Sequence, residues 1–242
     1  MPQQGVDATY LAALQATTRV LRSACAEQHC TFDPARDVAT IVRTQHDGPE
    51  LLDALVAESV GFPSYAGVLG VLHDAARGNL GPLNRFFAAV HRGDAAPAAV
   101  LSQGLHESAL CAELAPPWDA ASSSAARSLT VARAVAGLTP AQLYPWDRAT
   151  ALGNGLAVGC EQWPATKPPA VPTGNVSGDL PRVPVLLFSG ERDLSTPLAW
   201  GREEAAKAPD GRLAVVPRAG HSVQLRKTNV DAREVLARFL AR

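Results

Sequence analysis

The sequence predicts a partial α/β fold, in which a long helical region precedes two parallel strands and their helices. Residues 182–242 alternate strand, helix, strand and helix, which is the pattern of a parallel α/β sheet. Residues 1–163 instead show helical periodicity and helix-capping residues. The stretch 164–181 is rich in proline and glycine and has little apolar periodicity, so it is predicted to be a connector between these two regions.

The composition indicates a globular protein without a charge bias. Of the 242 residues, 47% are hydrophobic and 19% are charged, and the formal net charge is −1. This balance gives no electrostatic reason to expect binding to nucleic acid or to an anionic membrane. No apolar run reaches the roughly 18 residues of a membrane-spanning helix, and the first residues lack the basic and apolar regions of a secretory signal.

Capping residues and apolar spacing define the helices of the first region. Asp33 followed by Pro34 is an N-cap with proline at the first helical position, so a helix is predicted from Pro34 to His46. The stretch 97–112 is apolar. Further helices are predicted after a cap at Asp7 over 7–28, around 51–56, and over 64–77, 80–92, 120–136 and 140–147.

Two short apolar runs define the strands of the last region. The run 183–190 is continuous, which is typical of a strand buried on both faces, and 213–216 is a second such run. Helices are predicted over 197–208 and 230–242. Because two short strands cannot bury both faces of a sheet and leave open edges, we expect them to be the last two strands of a larger sheet.

Two polar residues follow the two predicted strands. Asp193 lies in a G-x-x-D pattern after the first strand, and His221 follows Gly220 after the second. Catalytic groups gather at the carboxyl ends of parallel strands, and an aspartate there can hold a histidine in one tautomer and stabilise its charged form. Alone, each has an ordinary interpretation, as a turn residue or a loop histidine. The joint pattern favours a functional pair.

These motifs resemble the C-terminal part of α/β-hydrolases. Residues 184–197 read PVLLFSGERDLSTP and residues 219–222 read AGHS. More narrowly, the chain resembles the tripeptidyl-aminopeptidase-like branch of the proline iminopeptidase family. Further support for that branch comes from two motifs that contain cysteine, ALCAE at 109–113 and CEQWP at 160–164, and from the two cysteines at 25 and 30 in the helical region.

The resemblance implies a serine peptidase fold in which 1–163 is a helical lid and 182–242 is the C-terminal hydrolase segment. Asp193 would be the acid of a catalytic triad and His221 its general base. The substrate would be a peptide or a small ester or amide, with no cofactor or metal, and the location would be secreted or at the cell envelope. Glu107 and Glu113 in the lid would meet the free amino group of a peptide, although solvated structural carboxylates are an equal alternative.

The four cysteines are Cys25, Cys30, Cys111 and Cys160. An even count fits two disulfides with three connectivities, of which Cys25–Cys30 with Cys111–Cys160 is the simplest, and four buried free thiols are the alternative. The spacing C-x4-C, without a second close pair or a histidine pair, argues against zinc. The resemblance implies a bridge between Cys111 and Cys160.

The chain departs from the family at the nucleophile. The elbow G-x-S-x-G normally precedes the lid, and no serine here fits it. Ser64, in GFPSYAG, has Phe62 and Ala66 at the glycine positions and no strand before it, so a helix N-cap is the favoured interpretation. We therefore expect little activity from the chain alone. Three origins stay open, namely a truncated reading frame, a processed fragment, and one half of a split enzyme whose partner is the missing N-terminal hydrolase half. The alternatives are a non-catalytic peptide-binding module and a hydrolase that uses Ser64.

Overall fold

A computed structural model describes residues 10–94, 97–113, 118–119, 121–155, 159–164, 182–225 and 230–241. In the first region, the helices are α1 Leu11–Glu27, α2 Pro34–Gln45, α3 Gly48–Gly61, α4 Val68–Ala76, α5 Gly81–Asp94, α6 Gln103–Glu113, α7 Ser124–Ala136, α8 Pro140–Leu143 and α9 Arg148–Leu152. In the last region, the elements are β1 Val185–Gly190, α10 Leu198–Ala206, β2 Gly211–Val216, a 3₁₀ turn Val223–Leu225 and α11 Val230–Leu240.

Most helices begin and end close to the predicted positions because their capping residues act locally. The side chain of Asp33 accepts a hydrogen bond from the N–H of Ala35 at 3.1 Å and so starts α2. The structure begins α1 at Leu11, and the predicted cap Asp7 lies outside the described residues. The predicted connector also lies outside them, except for Pro164.

The single helix predicted over 140–147 is wrong. Two short helices, α8 and α9, flank the segment 144–147. Pro145 has no N–H to continue a helical ladder. Asp147 instead caps the second helix, because its carboxylate accepts the N–H of Thr150 at 2.8 Å.

The predicted N-cap role of Ser64 is also wrong. Helix α4 begins at Val68, and Ser64 lies in the exposed turn before it, where its Oγ accepts the N–H of Ala66 at 3.4 Å. Tyr65, which is buried, has a left-handed backbone with φ 56°. A helix cannot continue through a left-handed residue, so α4 starts only after it.

The two regions share one hydrophobic core. Leucines of α1, α3 and α4 are fully buried at its centre, among them Leu14, Leu51 and Leu72. Leu194 and Trp200, from the segment after β1, belong to the same cluster. Burial of apolar area, which contributes about 25 cal/mol per Å², therefore helps to hold the helical region to the last 60 or so residues. Among the described residues, no helix combines the length and the apolar character that a bilayer span requires.

The two strands pair in parallel, with Val185 opposite Gly211 and Gly190 opposite Val216. Helix α10 covers one face, where Gly201 lies directly against Ser189. Helix α11 covers the other face, where Ala232 packs in a small cluster with residues of the β2 end. Because the strands are parallel, their carboxyl ends lie side by side at the same end of the sheet.

The prediction that β1 is buried on both faces is only partly correct. Its first four residues are half-buried and its last two are buried. In β2, Val215 is 41% exposed. Among the described residues β1 has one neighbouring strand, β2. The expectation that these strands end a larger sheet stays a prediction.

Candidate active site

Asp193 lies in the turn that follows β1, and it is 3% exposed. Its Oδ1 accepts the backbone N–H groups of Ser195 at 2.8 Å and Thr196 at 2.9 Å. Its Oδ2 accepts the hydroxyl of Thr196 at 2.6 Å. The DLST sequence thus folds into a local turn that holds the carboxylate in one orientation. A buried carboxylate needs such donors to offset the loss of water.

His221 lies in the turn after β2, and its Nδ1 is 3.0 Å from Oδ2 of Asp193. The same nitrogen is 3.1 Å from Oγ1 of Thr196. Both oxygens must accept here, because the Thr196 hydroxyl already gives its proton to Asp193. Nδ1 therefore carries the hydrogen, and Nε2 on the far side of the ring is the basic nitrogen. This is the tautomer that a triad base requires.

Main-chain contacts hold the two loops together. The N–H of Arg192 donates to the carbonyl of Ala219 at 2.8 Å, and the N–H of Glu191 donates to that of Val216 at 3.0 Å. Gly190 lies against the carbonyls of Ala219 and Gly220, so closely that any side chain at position 190 would collide with them. Glycine at the end of β1 therefore permits the approach of the acid loop to the histidine loop.

Arginines join helix α1 to these loops. The guanidinium of Arg192 is 2% exposed; it donates to Glu27 Oε2 at 2.5 Å and to the carbonyl of Pro63 at 3.3 Å. Arg218 donates to the other oxygen of Glu27 at 3.2 Å. Hydrogen bonds from Arg192, then from Arg218, lower the pKa of Glu27 below its ordinary value. Arg19 donates to the carbonyl of Glu191 at 2.8 Å, and burial lowers its pKa.

A cavity of about 280 Å³ lies between the helical region and the turn after Asp193. Its wall includes Leu194 and Ser195 on one side and Tyr10, Asp53 and Glu107 on the other. Two carboxylate side chains on a small, partly apolar cavity favour a cationic group over an anionic one. The cavity is therefore suited to an amine attached to an apolar or neutral body.

The structure places the other predicted site residues as follows. Glu107 is half-buried, lines the cavity and lies with Oε1 3.6 Å from Sγ of Cys111. The side chain of Glu113 lies outside the described residues. Ser64 follows α3, not a strand, so the strand-turn-helix geometry of a nucleophile elbow is absent at that position.

All four cysteines are paired, in the bridges Cys25–Cys30 and Cys111–Cys160. Glu107, Cys111 and Cys160 come close enough together to resemble a metal site. Disulfide sulfurs, however, are not the thiolates that bind zinc, so this group is not a zinc centre.

Several residues around the site were not anticipated from the sequence. The contacts of Arg192 and Glu27 lack a local signal, because they join positions far apart in the chain. The turn at Asp193 had a local signal, since an aspartate side chain often accepts the backbone N–H two residues further on. Asp53, which lines the cavity, had no signal beyond its place on a helix.

The comparison with known families concerns the last two fifths of the chain. Residues 146–242 match a family model described as TAP-like protein. This match supports a relationship to the α/β-hydrolase superfamily through the last part of the chain. No match was found among curated proteins or among solved structures.

Proposed function

We propose that Asp193 and His221 are the acid and the base of a serine-hydrolase triad, and that residues 1–163 form the lid of that enzyme. The observation that carries the proposal is the 3.0 Å contact between Oδ2 of Asp193 and Nδ1 of His221 at the ends of adjacent parallel strands. Asp193 is held by hydrogen bonds within its own turn, and the N–H of His221 is held by the carbonyl of Ser59, which supports a preorganised pair.

The chemistry of such a pair is acyl transfer. Nε2 of His221 takes the proton of a serine hydroxyl while that oxygen attacks the carbonyl carbon of the scissile bond. The imidazolium, stabilised by Asp193, then gives this proton to the leaving amine as the carbon–nitrogen bond breaks. Water hydrolyses the resulting acyl-serine ester, and His221 again takes and returns the proton.

The nucleophile is proposed to come from a partner, the N-terminal half of an α/β-hydrolase. That half carries G-x-S-x-G after a strand, together with the oxyanion hole. Two features support this. Ser64, the serine weighed from the sequence, is not in an elbow, and the outer edge of β1 lacks a neighbouring strand among the described residues. A sheet that continued from this edge would bring the serine to the strand ends where His221 lies.

The proposed substrate is a peptide with a free amino terminus, from which a short N-terminal peptide is released. Its amino group would bind in the acidic cavity, near Glu107 and Asp53, on the lid side of Asp193. The cavity lies beside the Asp193 turn, so the bond to be cleaved would lie only a few residues from the amino terminus. This arrangement supports an exopeptidase more than an endopeptidase.

Complementation tests the proposal. The chain is mixed with a separately produced N-terminal half of a TAP-like hydrolase, and release of a chromophore from tripeptidyl and aminoacyl amides is followed. We expect hydrolysis from the mixture, and its loss with His221→Ala. A control, Ser128→Ala, changes a half-exposed serine on α7 that bonds to Glu161 and should leave the rate unchanged. A stable complex with no more hydrolysis than the His221→Ala mixture would overturn the proposal.

One observation favours an active chain that uses Ser64. Pro63, its neighbour, lies directly against Gly220, next to His221. A fluorophosphonate probe, which reacts with activated serines, distinguishes this function from the first. Labelling of the isolated chain that is lost in Ser64→Ala would establish Ser64 as the nucleophile, and an unlabelled chain would dismiss it.

A non-catalytic peptide-binding module is the remaining candidate, and the acidic cavity is the observation that favours it. It predicts that tripeptides bind to the isolated chain and that Glu107→Gln weakens their binding. It also predicts that the complemented mixture never cleaves them.

A further inference from the structure

The last turn of helix α3 lies between the two loops that carry Asp193 and His221. We infer that Ser59, in this turn, is a positioning residue that sets the geometry of the acid–base pair. The inference rests on the proposed function, in which that pair does the chemistry. Ser59 belongs to the helical region, more than 130 positions before either residue, and it was not singled out from the sequence.

The side chain of Ser59 holds the acid loop. Ser59 is fully buried, and its Oγ donates to the carbonyl of Val56 at 2.7 Å. The same oxygen accepts the N–H of Leu194 at 3.2 Å. Leu194 is itself buried and directly follows Asp193. The hydroxyl thus satisfies a main-chain donor that has no access to water, one residue from the carboxylate.

The main chain of Ser59 holds the histidine loop. The last four carbonyls of a helix have no partner within it. Helix α3 ends at Gly61, so the carbonyl of Ser59 is one of these, and it accepts the N–H of His221 at 3.2 Å. Gly220 lies against the same carbonyl so closely that any side chain there would collide with it. The loop therefore approaches α3 as closely as a backbone can.

One residue thus fixes the backbone next to the acid and the backbone of the base. Loss of the hydroxyl would remove the bond that holds the main chain next to Asp193 to α3, while the Ser59 carbonyl still held His221. The main-chain bonds between the two loops would remain, so we expect the contact between the two side chains to loosen. Ser59 carries no charge. Its replacement therefore changes no net charge near the imidazole, and Ser59 makes no side-chain contact with His221 in the bonds given above.

The test compares Ser59→Ala with Thr17→Val. Thr17 is a matched control, because it is also fully buried and its hydroxyl accepts the indole N–H of Trp146 at 3.3 Å. Each variant leaves one buried N–H without its acceptor, so both should lower Tm. The ring C–H signals of His221 are followed by NMR as a function of pH, together with the Nδ1 proton signal.

We expect Ser59→Ala to lower the titration midpoint of His221 by about half a pH unit or more and to broaden the Nδ1 proton signal. The reason is that a looser contact with Asp193 stabilises the imidazolium less. Thr17→Val should move neither signal. Should Ser59→Ala not fold, Ser59→Cys, whose sulfur is larger than oxygen and a weaker hydrogen-bond acceptor, takes its place with a smaller expected shift.

An unchanged midpoint and Nδ1 signal in a folded Ser59 variant would overturn the inference, as would an equal shift in Thr17→Val. Neither measurement requires hydrolysis. Failure of the positioning role and failure of the hydrolase proposal are therefore separate results: a shifted midpoint with no activity on complementation would keep the first and reject the second.

Discussion

The buried guanidinium of Arg192 and the carboxylate of Glu27 form an ion pair at 2.5 Å between residues 165 positions apart. The arginine side chain is 2% exposed and the glutamate side chain 42% exposed. Arg192 adjoins Asp193, and Glu27 ends helix α1, so the pair fastens the helical region to the acid loop. Carbonyl groups of Pro63 and Ser23 also accept hydrogen bonds from this guanidinium, but Glu27 supplies the paired charge that a cation buried this deeply requires.

Glu27→Gln is expected to lower stability at neutral pH, because it leaves Arg192 buried without a carboxylate. Since the folded pKa of Glu27 is lowered, the stabilisation is present above its unfolded pKa and is lost as the pH falls through the folded value. Urea unfolding should therefore show a difference between wild type and Glu27→Gln at pH 7 that shrinks toward pH 3.

The control for this experiment is Glu203→Gln, which removes one of two glutamates paired with Lys207 just after the end of α10. It should leave the urea midpoint nearly unchanged, since Glu203 is 40% exposed and Lys207 keeps its closer partner, Glu204, at 2.8 Å. A Glu27→Gln variant as stable as Glu203→Gln at pH 7 would show that the buried arginine does not need its partner.

Glu58, beside Ser59, should make the protein less stable as the pH rises. Burial raises its pKa from 4.5 to about 7. For a carboxyl group whose folded pKa is raised, the contribution to stability is complete below the unfolded pKa and is lost as the pH rises through the folded value. A negative charge at the C-terminal end of a helix is also unfavourable.

Glu58→Gln removes this titration, so we expect the variant to be more stable than wild type at pH 8 and similar to it at pH 4. Thermal unfolding across this range measures the difference. Parallel profiles for the two proteins would show that Glu58 titrates normally.

The sequence alone was sufficient to predict the features that depend on local patterns. The strands β1 and β2 follow from short apolar runs, and the proximity of Asp193 and His221 follows from a general property of parallel sheets, whose strand ends meet at one edge. The start of α2 follows from Asp33, which acts on the next two residues. In each case the physical cause lies within a few residues of its effect.

The sequence alone did not predict the contacts that hold the site in place. Ser59 and Glu27 lie on helices that look ordinary, and their contacts with the strand-end loops arise only when the whole chain has folded. The helix prediction over 140–147 failed for a different reason. Asp147 can either continue one helix or cap the next, and apolar periodicity does not distinguish these two roles.

The two disulfides should contribute unequally to stability. Cys111–Cys160 joins residues separated by 49 positions, whereas Cys25–Cys30 joins residues separated by five. The loop-closure model gives about 4 kcal/mol for the first and about 2 kcal/mol for the second. Denaturant unfolding of the two double alanine variants measures this order. Equal losses would mean that strain or residual structure in the unfolded chain outweighs loop length.

Gly220→Ala should destabilise the protein, because the new methyl group would meet the carbonyl of Ser59 and the ring of Pro63. Backbone atoms at the end of α3 cannot move aside easily, so a cost of about 1–3 kcal/mol is expected, as for other overpacked interiors. Gly70→Ala is the matched substitution: position 70 lies within α4 and has open space around it. Since alanine favours a helix interior over glycine, Gly70→Ala should stabilise by up to about 1 kcal/mol. Denaturant midpoints give both values. If Gly220→Ala proved as stable as wild type, the close approach of the histidine loop to α3 would be wrong, and the route by which Ser59 reaches His221 would be lost with it.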